Sequence, residues 1–279
     1  MNNGLLIVNK PKGMTSRDVV NKVCRKFNTK SVGHIGTLDP LAEGVLVCLI
    51  GKYTKLANTL TNHDKEYMAS FKLGILTDTL DITGNVLKEG KNHFSKDEII
   101  NALNHFKGMY NQEVPIYSAV KVNGKKLYEY ARNNIDVKLP SKMVNIYDIE
   151  LIDIKDDIIT IKCKVSKGTY IRSLIRDIGA FLDTYATMTS LVRTTLGNFN
   201  IDEASNLEDI ENNNYKLLKL NDFLDVVTKK IDNEEDYKHI KNGNVMNIKS
   251  NKYILFTYED KNIALYEPFD NKIKPLIMF

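Results

Sequence analysis

The stretch of this chain best suited to chemistry is Gly33 to Gly51, GHIGTLDPLAEGVLVCLIG, which sets one carboxylate, Asp39, among Gly36, Pro40 and Gly44. Glycine and proline shape turns through their restricted or unusual backbone angles, so such a loop presents a carboxylate at a fixed geometry. A carboxylate held this way can stabilise positive charge, attack as a nucleophile or move a proton. An aspartate before proline also caps or kinks a turn, and one Asp alone does not define a reaction. Metal chemistry is not indicated. Cys24, Cys48 and Cys163 are odd in number and widely spaced, with no CxxC pair or matching His cluster, so neither a zinc site nor a disulfide scaffold is expected. They read as buried, inert thiols.

The loop must be carried by elements on either side. Residues 4–9, GLLIVN, read as a buried strand, followed by a Lys10-Pro11-Lys12-Gly13 turn. Ser16 is placed to cap a helix whose Val19, Val20, Val23 and Phe27 share one face. With three glycines and a proline, residues 31–44 should hold neither helix nor strand, and 45–50 resume as a strand or a buried helical turn. Alternation of Tyr67, Ala69, Phe71 and Leu73 predicts a half-buried strand. Ser95 with Glu98 forms a capping-box pattern opening a helix that Gly108 should stop. Segments 143–153 and 158–166 pair as a hairpin around Lys155-Asp156-Asp157. After Gly168 a helix buries Ile171, Leu174, Ile175, Ile178 and Leu182, leaving Arg172, Arg176 and Asp177 on other faces.

The 279 residues, 43% hydrophobic and 27% charged, describe a folded protein of one large and one smaller domain. The apolar run near the start, Leu5 to Val8, is too short for a signal-peptide core, and no later run reaches the length of a membrane span. Net charge is +4, unevenly spread: residues 1–60 carry +6 and residues 201–240 carry −6. A basic N-terminal stretch suits a polyanionic partner, although lysine-rich solvated faces are common.

Several segments together resemble the tRNA pseudouridine-55 synthases of the TruB type. The string Gly33 to Leu46 looks like that family's catalytic motif, and Lys10 to Ser16 like its KPxGxTS motif. Asp64-Lys65-Glu66-Tyr67 is similar to the strand bearing the family's active-site tyrosine, and Thr77 to Asp81 to a further segment. Pro115 to Arg132 resembles its PxYSAxKxxGxxxYxxAR block, while Gly168 to Leu174 and Leu191-Val192-Arg193 resemble its last two active-site elements. The resemblance spans residues 5–200.

It implies an α+β fold: the pseudouridine synthase fold, a mixed, largely antiparallel sheet with flanking helices, followed by a small C-terminal β module that is PUA-like. The expected domains are a catalytic unit over residues 1–200, an acidic helical connector over 201–235, and the β module over 236–279. The implied reaction turns a T-loop uridine of tRNA, position 55, into pseudouridine: the base is flipped out, its C1′–N1 bond is broken, the uracil rotates, and C5 rejoins C1′. Cleavage builds positive character on the sugar, which a carboxylate can stabilise or trap. Attack at C1′, attack at C6 and a glycal-like path all remain open to Asp39.

The resemblance implies catalytic roles for Asp39, for Tyr67 against the uracil near its C5 proton, and for Arg172, which would pair with Asp39 and aim it. Tyr170 and Leu191 would line the pocket, and His34 would fill the space left by the flipped base. Lys10, Lys12, Lys55 and Arg193 are candidates for phosphate contacts or pocket structure, and Asp81 for holding Lys10 or a loop. No metal, no cofactor, no membrane and no obligatory protein partner are expected; the partner is the tRNA T-arm, and the protein reads as a cytoplasmic monomer. The competing readings are a tRNA-folding chaperone and a guided synthase needing partner proteins. A glycoside hydrolase is more distant, because no second carboxylate sits at motif-like spacing.

Overall fold

The computed structural model describes residues 3–61 and 63–279; Met1 and Asn2, the start of the expected catalytic unit, and Asn62 lie outside the described residues. The chain opens with strand β1 (Gly4–Lys10), helix α1 (Ser16–Lys26), β2 (Val32–Ile35) and β3 (Glu43–Ile50), then a 3-10 turn (Gly51–Leu56) and α2 (Ala57–Leu60). Next come β4 (Lys65–Leu73), the small hairpin β5 (Ile75–Thr77) and β6 (Val86–Glu89), α3 (Lys96–His105) and β7 (Gly108–Glu113). A second small hairpin, β8 (Lys121–Val122) with β9 (Lys125–Lys126), leads into α4 (Leu127–Arg132), followed by β10 (Ser141–Lys155) and β11 (Ile158–Val165). Helix α5 (Ile171–Phe181), β12 (Ala186–Leu196) and β13 (Phe199–Asn200) complete the large unit. Beyond it lie α6 (Leu207–Glu211), α7 (Leu220–Phe223), β14 (Val226–Lys230), α8 (Glu234–Lys241), β15 (Tyr253–Tyr258), β16 (Lys261–Phe269) and β17 (Lys272–Met278).

The large sheet runs β1-β3-β12-β4-β11-β10-β7, with β2 added on β3 and β13 on β12. Every pairing in it is antiparallel except β3 with β12, so the expected α+β class with a mixed, largely antiparallel sheet is found. On β4 burial alternates strictly, as period-two patterning requires, with Tyr67, Ala69, Phe71 and Leu73 inward. Those residues meet α3 and α5 in one core that also takes Leu38, Leu41 and Ala42 from the Asp39 loop. Apolar residues flanking Asp39 therefore pin the loop to the sheet.

Four local expectations are corrected. The α1 cap is Thr15, which closes a capping box with Asp18; Ser16 is buried instead, its hydroxyl accepting from the Leu38 N–H at 2.9 Å and donating to the Leu38 carbonyl at 3.1 Å. The loop over 31–44 is not free of strand, because Val32–Ile35 gains a full antiparallel partner in β3. Helix α3 ends at His105 rather than at Gly108, which opens β7. Arg172 is not on an outer face of α5: only 6% of it is exposed.

Residues Ser205 and Leu218 bridge back onto β1, and β14 pairs in parallel with β15 to extend the small C-terminal sheet β14-β15-β16-β17. Helix α8, not expected from sequence, packs on that sheet through Ile240. The small β module is thus present. Cys48 and Cys163 are buried and unbridged, with thiols pushed up to about 12 by desolvation, as inert core cysteines should be.

The parallel contact between β3 and β12 sets Gly44 opposite Arg193. Gly44 has φ +98°, and a Cβ there would stand 2.3 Å from the Arg193 carbonyl oxygen. Gly44→Ala should therefore cost about 2 kcal/mol or more through strain and displaced backbone, measured as a lowered denaturant midpoint at unchanged slope.

Candidate active site

A cavity of 330 Å3 opens beside Asp39, walled by the loop Gly36–Asp39, by Lys65 and Tyr67 of β4, by Tyr117–Ala119, by Lys167–Arg172 and by Leu191 and Arg193 of β12. Of the residues expected from the sequence, the structure brings Asp39, Tyr67, Tyr170, Arg172, Leu191 and Arg193 to this one cavity.

The loop is rigid because buried cations and a hydroxyl bind its carbonyls. Arg193, 1% exposed, donates from Nε to the Val45 carbonyl at 2.8 Å and from Nη2 to the Gly36 carbonyl at 2.6 Å. Lys10, fully buried, donates to the Pro11 carbonyl at 2.9 Å and reaches the Pro40 carbonyl at 3.5 Å, while the Gly13 N–H donates to the same Pro40 oxygen at 2.8 Å. Burial pushes the Lys10 ammonium down from its ordinary value, against the pull of Glu43 and Asp39. Of the two roles expected of Lys10, phosphate contact or pocket structure, its full burial favours the second, as a support of the loop.

Asp39 has 41% of its side chain exposed and pairs with Arg172, Oδ2 to Nη2 at 2.9 Å. Arg172 also donates to the Thr79 and Tyr117 carbonyls, each at 3.0 Å. A guanidinium anchored at three points holds a carboxylate with little freedom. Tyr67 lines the same cavity, 6% exposed; burial raises its phenol, and the Arg193 guanidinium draws it partly back, by its charge first and then by a hydrogen bond. Burial likewise raises the Tyr170 phenol.

The remaining expected residues lie off the cavity wall. His34 is half-buried on β2, its Nδ1 buried without a hydrogen-bond partner among the described residues, and burial lowers its imidazole so that the neutral ring is favoured. Lys55 and Lys12 are exposed. Asp81 does not hold Lys10: its Oδ1 accepts from the Thr79 hydroxyl and the Thr83 N–H, each at 3.0 Å, closing the turn whose Thr79 carbonyl receives Arg172. No group of His, Cys, Asp and Glu suited to a metal occurs among the described residues.

Sequence reasoning missed Lys65, although its position two residues before Tyr67 on an alternating strand signals the same face. Lys65 is 9% exposed, donates to the His63 carbonyl at 2.9 Å, and its ammonium is lowered to about 8 by burial first and then by Arg193. Between about 8 and the ordinary 10.5 the unfolded chain keeps a proton that the folded chain releases, so for this group stability rises with pH across that window. Lys65→Met removes the titration. The stability difference, wild type minus variant, should grow in favour of the wild type from the low to the high end of the window in denaturant titrations.

Comparison with known proteins agrees with this geometry. Residues 24–171 match the family model described as TruB family pseudouridylate synthase, N-terminal domain, and residues 172–235 match that of the tRNA pseudouridylate synthase B C-terminal domain. The chain is 43% identical to the tRNA pseudouridine synthase B of Fusobacterium nucleatum over 97% of each chain. It is 44% identical to the protein of that name from Caldicellulosiruptor saccharolyticus, over 96% of this chain and 90% of the other. Among solved structures, a chain of a crystallised Cbf5-Nop10-Gar1 complex shares the fold, with TM-score 0.67 and 24% identity over 95% of this chain and 78% of that one. With these matches over nearly its full length, joined to a paired aspartate at the floor of the cleft, the chain belongs to the TruB family of pseudouridylate synthases.

Proposed function

We propose that this protein isomerises uridine to pseudouridine in the T-loop of tRNA, at position 55, with Asp39 as its catalytic carboxylate. The observation that carries the reading is the Asp39–Arg172 pair at 2.9 Å, set in the wall of a cavity also lined by Tyr67, Tyr117, Tyr170, Leu38 and Leu191. One face of the site is charged and aimed, and the rest offers flat apolar surface to a pyrimidine.

The uridine is flipped into the cavity at a cost of a few kcal/mol of lost stacking, about the usual expense of extruding a base. Tyr67 and Leu191 flank the uracil, with Tyr170 closing the wall. As the C1′–N1 bond breaks, the exposed oxygen of Asp39 faces the sugar or the ring, either stabilising positive character or forming a transient bond. The uracil then turns within the cavity, C5 joins C1′, the C5 proton leaves beside Tyr67, and N1, freed from C1′ with the electron pair of that bond, takes up a proton from solvent. Bonds broken and formed balance within the substrate, so no redox equivalent or hydrolytic water is consumed.

His34 takes the gap left by the base, and Lys12 and Lys55 meet phosphates of the T-arm from exposed positions. Lys10, Arg193 and Asp81 act on the loops that hold Asp39 and Arg172. The small β module is read as a PUA-like second grip on the RNA. Among the described residues no helix is long and apolar enough to cross a membrane. The relatives' names support tRNA as the substrate, and the protein is read as a cytoplasmic monomer acting without a protein partner.

Tritium release from an unmodified tRNA transcript labelled at uracil C5 tests the reading. The purified chain should release tritium without added metal. Asp39→Asn, which keeps an oxygen acceptor for Arg172, should bind tRNA and release none. Arg172→Lys loses the planar fork, so its rate should fall about 100-fold with binding largely kept. Activity retained in Asp39→Asn would refute the assignment.

A further inference from the structure

Helix α5 delivers Arg172 to Asp39, yet it starts without a cap of its own: its N-cap is Tyr170, whose side chain makes no capping hydrogen bond. Backbone groups at a helix start need partners, and the Tyr170 N–H finds its partner on β7, the edge strand of the large sheet. Gln112 on β7 is 1% exposed. Its Oε1 accepts from the Tyr170 N–H at 2.8 Å, and its Nε2 donates to the Tyr170 carbonyl at 3.1 Å. That same carbonyl accepts the first helical bond, from the Leu174 N–H at 3.0 Å.

The amide is itself oriented. Nε2 also donates to the Tyr110 hydroxyl, whose proton is directed to Asp177 Oδ2 at 3.5 Å, so the phenol oxygen can only accept from Gln112. Asp177 is held by Arg176 at 2.8 Å, and Arg176 by Glu113 at 2.9 Å. The Glu113 carbonyl accepts from the Ser173 hydroxyl at 2.8 Å. Two neighbouring residues of β7 thus grip α5 at Tyr170 and Ser173, the positions on either side of Ile171 and Arg172. A buried amide with its oxygen and both N–H groups engaged cannot turn without leaving a polar group unpaired.

We infer that Gln112 is a positioning residue for the reaction, an inference resting on the isomerisation proposed above: it fixes the Tyr170 backbone and, through the first turn of α5, aims Arg172 at Asp39. It touches no substrate. Its contribution is to the geometry of the bond-breaking step, where a displacement of about 1 Å can cost a factor of 100.

Single-turnover tritium release with enzyme in excess over labelled tRNA tests this, because at saturation every tRNA sits on a folded enzyme and the rate constant does not depend on the folded fraction. Gln112→Met keeps the side-chain volume and loses the hydrogen bonds. Ile210→Ala truncates a buried residue of α6 in a separate core and serves as a destabilised control. The saturating rate constant should fall about tenfold or more in Gln112→Met, with the tRNA dissociation constant unchanged, while Ile210→Ala keeps the wild-type rate constant. A wild-type rate constant in Gln112→Met, a loss confined to binding, or an equal fall in Ile210→Ala would overturn the inference. Absence of release from the wild type would overturn the isomerisation reading along with it.

Discussion

A guanidinium buried to 6% exposure has lost most of its hydration, and Arg172 replaces it with three oxygens: the Asp39 carboxylate at 2.9 Å and the Thr79 and Tyr117 carbonyls at 3.0 Å. Removing any of them leaves a buried charge short of partners, which is costly. Asp39 is the charged partner, and it lines the cavity. The ion pair therefore spans two environments, a dry side that fixes its direction and a wet side that opens on the cavity. Much of the large unit serves to hold the two ends of this pair. Strand β4 carries the Tyr67 floor, α5 carries the arginine, and the turn closed by Asp81 supplies the Thr79 carbonyl.

The aspartate end is held by a second set of buried polar groups. Arg193 and Lys10 are almost without solvent, and both spend their donors on carbonyls in and beside the Asp39 loop: Gly36 and Pro40 within it, Val45 at the start of β3, and Pro11 and Met14 in the turn after β1. Carbonyls of an irregular loop cannot pair with a strand ladder, and buried without partners they would destabilise the fold. Cations drawn from β1 and β12 solve this while adding positive potential around the pocket, which suits a substrate carried on a phosphate chain. Between these supports, Leu38 and Leu41 anchor the loop in the apolar core.

Much of this site was legible because its residues occur in short, ordered strings. Asp39, Tyr67, Tyr170, Arg172, Leu191 and Arg193 were all named from sequence and share one cavity. What sequence did not disclose follows a physical pattern. Arg172 sits at a polar position of the α5 pattern, so periodicity placed it outside; only the tertiary approach of the Thr79 and Tyr117 carbonyls makes burial tolerable there. Sequence leaves Lys10 open between phosphate contact and pocket structure, since an isolated lysine carries no sign that it will cap carbonyls. Gln112 lies in GMYNQE, a strand with weak apolar alternation, and its partner Tyr170 is far along the chain. Thr15 rather than Ser16 caps α1: both residue types can cap, and the contact of Ser16 with Leu38 decides between them.

The central claim is that the pair of Asp39 and Arg172 in this cleft isomerises one uridine of tRNA. Carbodiimide mapping of an unmodified tRNA transcript after incubation with the purified protein tests it most directly, because reverse transcription stops beside each pseudouridine. One new stop is expected, beside position 55, and it should not form with Asp39→Asn. No stop with the wild-type protein, or stops scattered over other uridines, would contradict it.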